Sequence, residues 1–188
     1  MTEGATGLLP REELAVDVIE AAVRLLGCTV AADTPEGTVA VRLVEVEAYR
    51  GADDPASHSF RGRTARNAVM FGPAGHLYVY FVYGMHFLLN VVTEREGHGS
   101  AVLFRGLEPV EGFARGARTD GPARLTRVLG IDKELNRWDL TLGERLWIAS
   151  GPRVERIARG PRIGVDYAGA WAQAPLRFWE EGNPWVSR

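Results

Sequence analysis

Apolar and polar positions along the chain change their period several times, and each change predicts an element. Over residues 10–26, Leu14, Val18, Ala21, Ala22 and Leu25 recur at the spacing of one helix face. Pro10 suits the first turn of that helix and Gly27 its stop. Residues 28–31 and 38–49 read as two strands of a hairpin joined through Asp33, Pro35 and Gly37. Residues 51–67 have no period and carry Arg61, Arg63 and Arg66 with no acid after Asp54, which predicts a surface loop with a positive face. The aromatic run 77–92 is interrupted by Tyr83, Gly84 and Met85 and reads as two strands with a tight connection at Gly84. That reading puts Tyr83 at an exposed hairpin tip. Residues 101–107 predict another strand, 108–118 a helix, and Asp120, Gly121 and Pro122 open a second helix with Leu125, Val128 and Leu129 inward. Further strands are expected near 145–148, 162–167 and 176–179, while residues 1–7 are small, polar and expected to be loose.

No internal repeat, low-complexity tract or linker interrupts this order. The mixture predicts one α+β domain over residues 1–188, built on a curved, mainly antiparallel sheet resembling an open barrel. Peripheral helices and a protruding β-hairpin complete it.

Composition narrows the class. A chain of 188 residues can bury a sizeable core without metal or disulfide staples, and the single Cys28 excludes an internal disulfide. There is no charged-then-apolar leader and no apolar run approaching twenty residues. The expectation is a protein that is neither secreted nor membrane-inserted, in a reducing cytoplasm beside the nucleoid, or in a nucleus if eukaryotic. A monomer is the default.

Net charge is −2, which taken alone argues against a nucleic-acid partner. The average hides a segregation. Residues 1–56 hold 11 acids against 4 arginines, and residues 57–188 hold 13 acids against 18 bases. Among the 22 basic residues only Lys133 is a lysine, and arginine's planar fork suits bidentate phosphate contacts. A G- and C-rich genome would produce the same arginine preference, so the segregation along the chain is the stronger observation.

Candidate chemistry concentrates in residues 41–58, VRLVEVEAYRGADDPASH. In an extended segment Val39, Val41, Leu43, Glu45, Glu47 and Tyr49 share one face, so two acids lie among apolar residues. A carboxylate in such a place must be hydrogen-bonded or hold a proton, which is the usual setting of a catalytic acid or base. Exposure on an edge strand is the alternative for either glutamate alone.

Separate segments, taken together, carry a resemblance. EVEAYRGADDPASHS, TARNAVMFG, HLYVYFVYGMHFLLNV, AVLFRGLEPVEG, GPARL, RIGVDYAGAWAQAPLRFW and GNPWVS occur in that order between Val44 and Arg188. Over about three quarters of its length the chain resembles the alkyladenine (3-methyladenine) DNA glycosylase family. The resemblance implies a monofunctional glycosylase that flips a damaged purine out of double-stranded DNA and hydrolyses its N-glycosidic bond without a cofactor, leaving an abasic site.

Matched residue by residue, Glu47 takes the role of the catalytic base that activates water. Arg105 and the backbone of Val165 help to position that water. Tyr49 and Tyr80 match the aromatic walls around the flipped base, His58 the contact to the purine edge, and Asn90 the residue that disfavours the guanine amino group. Two electron-rich rings favour an electron-poor, alkylated purine, such as 3-methyladenine or 7-methylguanine. Hypoxanthine and ethenoadenine are further candidates, although a neutral base needs a proton donor and only a water or His58 offers one. Tyr83 matches the intercalating tyrosine, with Met85 beside it. Arg63, Arg66 and Asn67 fall near the DNA backbone in the matched pattern, with Met70 behind them. Glu45 has no matched catalytic role. The departures are a shorter loop between His58 and Arg66, His86 in place of an aromatic residue, and Asp166 in place of a glycine after Val165.

Three rival readings follow from the same residues. A damaged-DNA-binding protein without turnover would keep the wedge and the pocket but has no need of Glu47 and Arg105. A hydrolase of free nucleosides would leave Tyr83 and the arginine loop without purpose. A metal site on Glu45, Glu47 and His58 lacks the close ligand spacing of known motifs.

Overall fold

The fold is wound around one long strand, β2 (Gly37–Tyr49), which is buried along most of its 13 residues. The computed structural model describes residues 7–35, 37–82, 84–113 and 119–187. On one side β2 changes partner partway along. Its first half pairs with β1 (Thr29–Thr34), from Arg42 opposite Thr29 to Gly37 opposite Thr34. Its second half pairs with β8 (Arg177–Glu180), from Glu45 opposite Trp179 to Glu47 opposite Arg177. On its other side β2 is followed by β5 (Ser100–Glu111), then β4 (His86–Thr93) and β3 (Leu77–Val82). Short strands β6 (Leu146–Ala149) and β7 (Ile157–Gly160) flank β1 and β8. Among the described residues every pairing is antiparallel, and the eight strands curl into a half-barrel. The α+β expectation holds, with β3 and β4 as the protruding hairpin.

Two bulges set which way β2 and β5 aim their side chains. Leu43 lies opposite Leu107, Glu45 opposite Gly106, and Val46 opposite Phe104, so Val44 is an extra residue on β2 and Arg105 an extra residue on β5. Each extra residue reverses the alternation of faces beyond it. The main core accordingly takes Val39, Val41 and Leu43 from odd positions, then Val46 and Ala48 from even ones. The predicted single face from Val39 to Tyr49 is therefore corrected. Glu45, Glu47 and Tyr49 share a face, but Val39, Val41 and Leu43 lie on the other. Gly106 permits the close approach at this point, because a Cβ there would stand 2.7 Å from the Trp185 carbonyl and 3.0 Å from Glu45 Cβ.

The predicted helix over 10–26 is divided. A 3-10 turn at Arg11–Glu13 is followed by α1 (Val18–Leu25), whose N-cap Asp17 accepts from Ile19 N–H at 2.9 Å. A tertiary contact holds the break open: Leu14 O accepts from Glu94 N–H, and Glu94 Oε1 accepts from Val18 N–H. Val18, Ala21, Ala22 and Leu25 are buried as the period predicts. The second helix, α2 (Pro122–Val128), lies where its opening residues place it, with Leu125 and Leu129 buried.

Two expectations fail. No helix begins at Glu108, because β5 continues to Glu111 and Glu108 pairs with Arg42 of β2; residues 114–118 of that prediction lie outside the described residues. The strand expected at 162–167 is a loop leading into a 3-10 helix, Asp166–Gln173. There the Ile163 N–H donates to Glu47 and is not free for a strand ladder, while the Arg162 side chain binds Asp54.

Candidate active site

A cavity of about 390 Å³ lies between the sheet, the 51–67 loop and the 163–167 loop, lined from β2 by Tyr49 and from β5 by Ala101, Leu103 and Arg105. Glu47 stands behind Tyr49 and Arg105 of that lining, with no solvent exposure. Its Oε1 accepts from the Ile163 backbone N–H at 2.8 Å and its Oε2 accepts from the Tyr49 hydroxyl at 2.9 Å. The Arg105 Nε lies 3.5 Å from Glu47 Oε1 and 3.4 Å from Glu45 Oε1, so one guanidinium serves two buried carboxylates. Burial raises the Glu47 pKa above its ordinary value, opposed by the Arg105 cation, the Ile163 N–H and the Tyr49 hydroxyl, with Glu45 adding to the rise. The group is thus a stronger base than a solvated glutamate, with a cation beside it to hold its charged form.

Tyr49 lines the cavity with one part of its ring, while the Arg162 guanidinium lies 4.7 Å from its centroid. Arg162 is itself buried and bidentate on Asp54, at 2.5 and 2.9 Å, and donates to the Ala48 carbonyl at 3.0 Å. This buried pair ties the loop carrying His58 to the loop carrying Val165, behind the Tyr49 ring.

The opposite wall is aromatic. Tyr78 and Tyr80, two residues apart on β3, stack at 5.2 Å, and His58 meets Tyr80 edge-on at 4.5 Å. His58 Nδ1 and the Tyr78 hydroxyl are 2.8 Å apart, which fixes the imidazole. Burial, and then the Arg66 cation, lowers the His58 pKa, so the ring is neutral at pH 7. Burial pushes the Tyr78 hydroxyl up to about 12. Asn90 lies across from Tyr78, donates to its carbonyl at 3.2 Å and lines the cavity.

The remaining predicted residues divide into three positions. Val165 is buried at the cavity edge, its carbonyl accepting one N–H from Ala168. Arg63 and Arg66 are exposed on the loop, Arg66 within 5.9 Å of the Tyr80 ring. Asn67 is buried, accepting from Thr64 N–H and donating to the carbonyls of His58 and Gly62, so it shapes the loop from inside. Met85 is 69% exposed at the hairpin tip; Tyr83 lies outside the described residues. Asp166 is exposed, whereas His86 and Met70 line the cavity.

Four contributors were not singled out from the sequence: Tyr78, Asp54, Arg162 and Ile163. Tyr78 had a signal, because it alternates with Tyr80 on β3 and must share its face. The other three had none. Asp54 and Arg162 are 108 positions apart, and Ile163 acts through its backbone.

Comparison with known proteins gives the family of the chain. A family model described as Methylpurine-DNA glycosylase (MPG) matches residues 12–184. A relative from Methanocella arvoryzae is 44% identical over 192 residues, covering 96% of this chain and 96% of its own. One from Myxococcus xanthus is 46% identical, covering 96% and 93%, and one from Legionella pneumophila strain Lens is 48% identical, covering 96% and 98%. Each of the three carries the name 3-methyladenine DNA glycosylase provisionally. Matched by that model along nearly its whole length, this chain belongs to the methylpurine-DNA glycosylase family.

Proposed function

We propose that this protein takes an alkylated or deaminated purine out of duplex DNA into the cavity between Tyr49 and Tyr80 and hydrolyses its N-glycosidic bond with water activated by Glu47. The observation that carries the reading is the buried Glu47 carboxylate, held by two donors and adjacent to Arg105 at the back of an aromatic cavity. Its two oxygens have acceptor capacity beyond the Ile163 and Tyr49 bonds, which is what a base needs to take a proton from water. As water attacks the anomeric carbon, the carboxylate also opposes the positive charge that develops on the sugar.

Aromatic surfaces on two sides favour a flat, electron-poor base, and a cationic one most strongly. His58 at the cavity wall supplies the polar group that would meet a purine edge, and Asn90 the one that would disfavour the amino group of guanine. Exposed Arg61, Arg63 and Arg66 beside the opening suit the phosphates of the strand, and Met85 on the hairpin tip suits insertion beside the vacated position. Of the two amines that could form a Schiff base, Lys133 stands exposed on a turn away from the cavity lining and the N-terminus lies outside the described residues, so the reading of simple hydrolysis rests on the position of Lys133.

The test is single-turnover release of free base from duplexes carrying 3-methyladenine, 7-methylguanine, hypoxanthine or ethenoadenine, with native protein and Glu47→Gln. Release by the native protein that collapses in the variant, with duplex binding retained, supports the reading and ranks the lesions. Tight lesion binding without release by either protein replaces it with a damage-binding role.

A further inference from the structure

We infer that Glu45 and Ser187 are positioning residues for the reaction, together setting how the Arg105 guanidinium is shared between the two buried carboxylates. This rests on the reading of Glu47 as the base. Glu45 is as buried as Glu47, and the reaction as proposed gives it nothing to do. A carboxylate with no exposure beside a second one is costly unless its donors answer it.

Those donors come from the segment that follows β8. Asn183 donates to Glu180 at 2.8 Å and accepts from Trp185 N–H at 2.9 Å, which turns the chain back toward the sheet over Gly106. Ser187 is thereby placed against Glu45. Its backbone N–H donates to Glu45 Oε2 at 2.6 Å and its hydroxyl donates to Oε1 at 2.8 Å. The same hydroxyl oxygen accepts from Arg105 Nε at 3.4 Å and Nη2 at 3.3 Å. The direction of these bonds is forced, because a guanidinium can only donate and an ionised carboxylate can only accept. Ser187 Oγ therefore stands as a relay between Arg105 and Glu45. It answers part of the Glu45 charge and leaves the guanidinium equidistant, to within 0.1 Å, from the two acids.

The groups facing this pair are known from each packed element. Arg105 comes from β5, Arg177 from β8 with its Nε 3.7 Å from Glu45 Oε1, and the Ile163 N–H from the loop. Tyr49 comes from β2 and Tyr80 from β3; burial raises the pKa of both hydroxyls, so they stay neutral while Glu47 titrates. The ion pair of Arg162 with Asp54 lies behind Tyr49. Removing the Ser187 hydroxyl turns Arg105 toward Glu45 and away from Glu47. Removing the Glu45 charge does the opposite and also removes a like charge near Glu47.

The experiment is the pH dependence of single-turnover base release by native protein, Ser187→Ala, Ser187→Thr and Glu45→Gln, with saturating protein and duplex affinity measured alongside. Ser187→Ala is expected to move the acid limb to higher pH by about half to one unit, a threefold to tenfold loss of rate on that limb. Glu45→Gln is expected to move it to lower pH, and Ser187→Thr, which keeps the hydroxyl, to retain the native limb; affinity for duplex stays unchanged in all three. Acid limbs that superimpose on the native one, or that move in the same direction in Ser187→Ala and Glu45→Gln, overturn the inference. If Glu45→Gln does not fold, the Ser187 pair decides alone: a limb unmoved in Ser187→Ala, or moved equally in Ser187→Thr, overturns it. Failure of the underlying reading looks different, since native protein would then release no base or Glu47→Gln would release it as fast.

Discussion

The Tyr49 hydroxyl donates to Glu47 Oε2 at 2.9 Å from two residues along the same strand, so one side chain is both a wall of the cavity and a hydrogen-bond donor to the carboxylate behind it. Tyr49→Phe separates the two roles. The ring remains, while the donor that lowers the Glu47 pKa is lost. The acid limb of base release is expected to move to higher pH, and the rate at pH 7 to fall by roughly tenfold. Tyr49→Ala, lacking the wall as well, is expected to weaken binding of the lesion too. Equal kinetics in Tyr49→Phe and native protein would remove the bond from the mechanism.

Glu47→Gln is expected to be more stable than the native chain at neutral pH. Burial raises the folded-state pKa of Glu47 above its unfolded value of about 4.3. Between those two values the folded state binds more protons than the unfolded state, so stability falls as pH rises through the window. Below about pH 4 the native chain and the variant are equal in this respect; above the raised pKa the native chain carries the full cost of a buried charge. Melting curves across pH should show a gap that opens toward neutral pH, about 2–4 °C per kcal/mol for a chain of this size. A gap independent of pH would rule out this origin.

The buried pair of Arg162 and Asp54 joins two loops on either side of Tyr49. Asp54→Asn leaves the guanidinium buried without its countercharge. A loss of about 3–5 kcal/mol in urea unfolding is expected. A double variant, Asp54→Leu with Arg162→Met, should recover much of that stability while loosening the Tyr49 ring. A cost below about 1 kcal/mol for Asp54→Asn would show that water reaches the pair.

At Gly106, a methyl group would run into the Trp185 carbonyl and the Glu45 side chain. Gly106→Ala is expected to cost about 1–3 kcal/mol and to slow base release through displacement of Glu45 and Arg105. Native stability with native kinetics in this variant would mean that the segment after β8 yields without consequence.

Arg66 lies exposed beside the opening, over the edge of the aromatic wall. Arg66→Ala is expected to weaken duplex binding whether or not a lesion is present, and to reduce the slope of log affinity against log salt by about 1. An unchanged slope would place the phosphate contacts elsewhere, with Arg61 and Arg63 the next to replace.

Much of this arrangement was legible in the chain itself. Alternation marked β2, the aromatic run broken at Gly84 marked β3 and β4, an apolar stretch marked most of β5, helical spacing found the buried face of α1, and the arginine-rich loop lies where polarity put it. Those signals are local, because each side chain's direction follows from its neighbours in the same element. The matched motifs named Glu47, Arg105, Tyr49, His58, Tyr80 and Asn90, and the fold brings all six to one cavity or its immediate back wall. Local signals stop at the bulges. An extra residue on a strand is defined only against its partner: the apolar positions of β2 pass from odd to even at Leu43 and Val44, but that this is a bulge, and that another turns Arg105 inward, depends on the register with β5. Strand order likewise decided that β5 would run on past Glu108, and that the Ile163 N–H would serve Glu47 instead of a ladder. The sequence alone determined which residue types were available: two acids, aromatic rings and arginines. Only the tertiary structure decided that one guanidinium would stand between two buried carboxylates, because that spacing depends on the register of two strands and on a segment more than a hundred residues from Glu45.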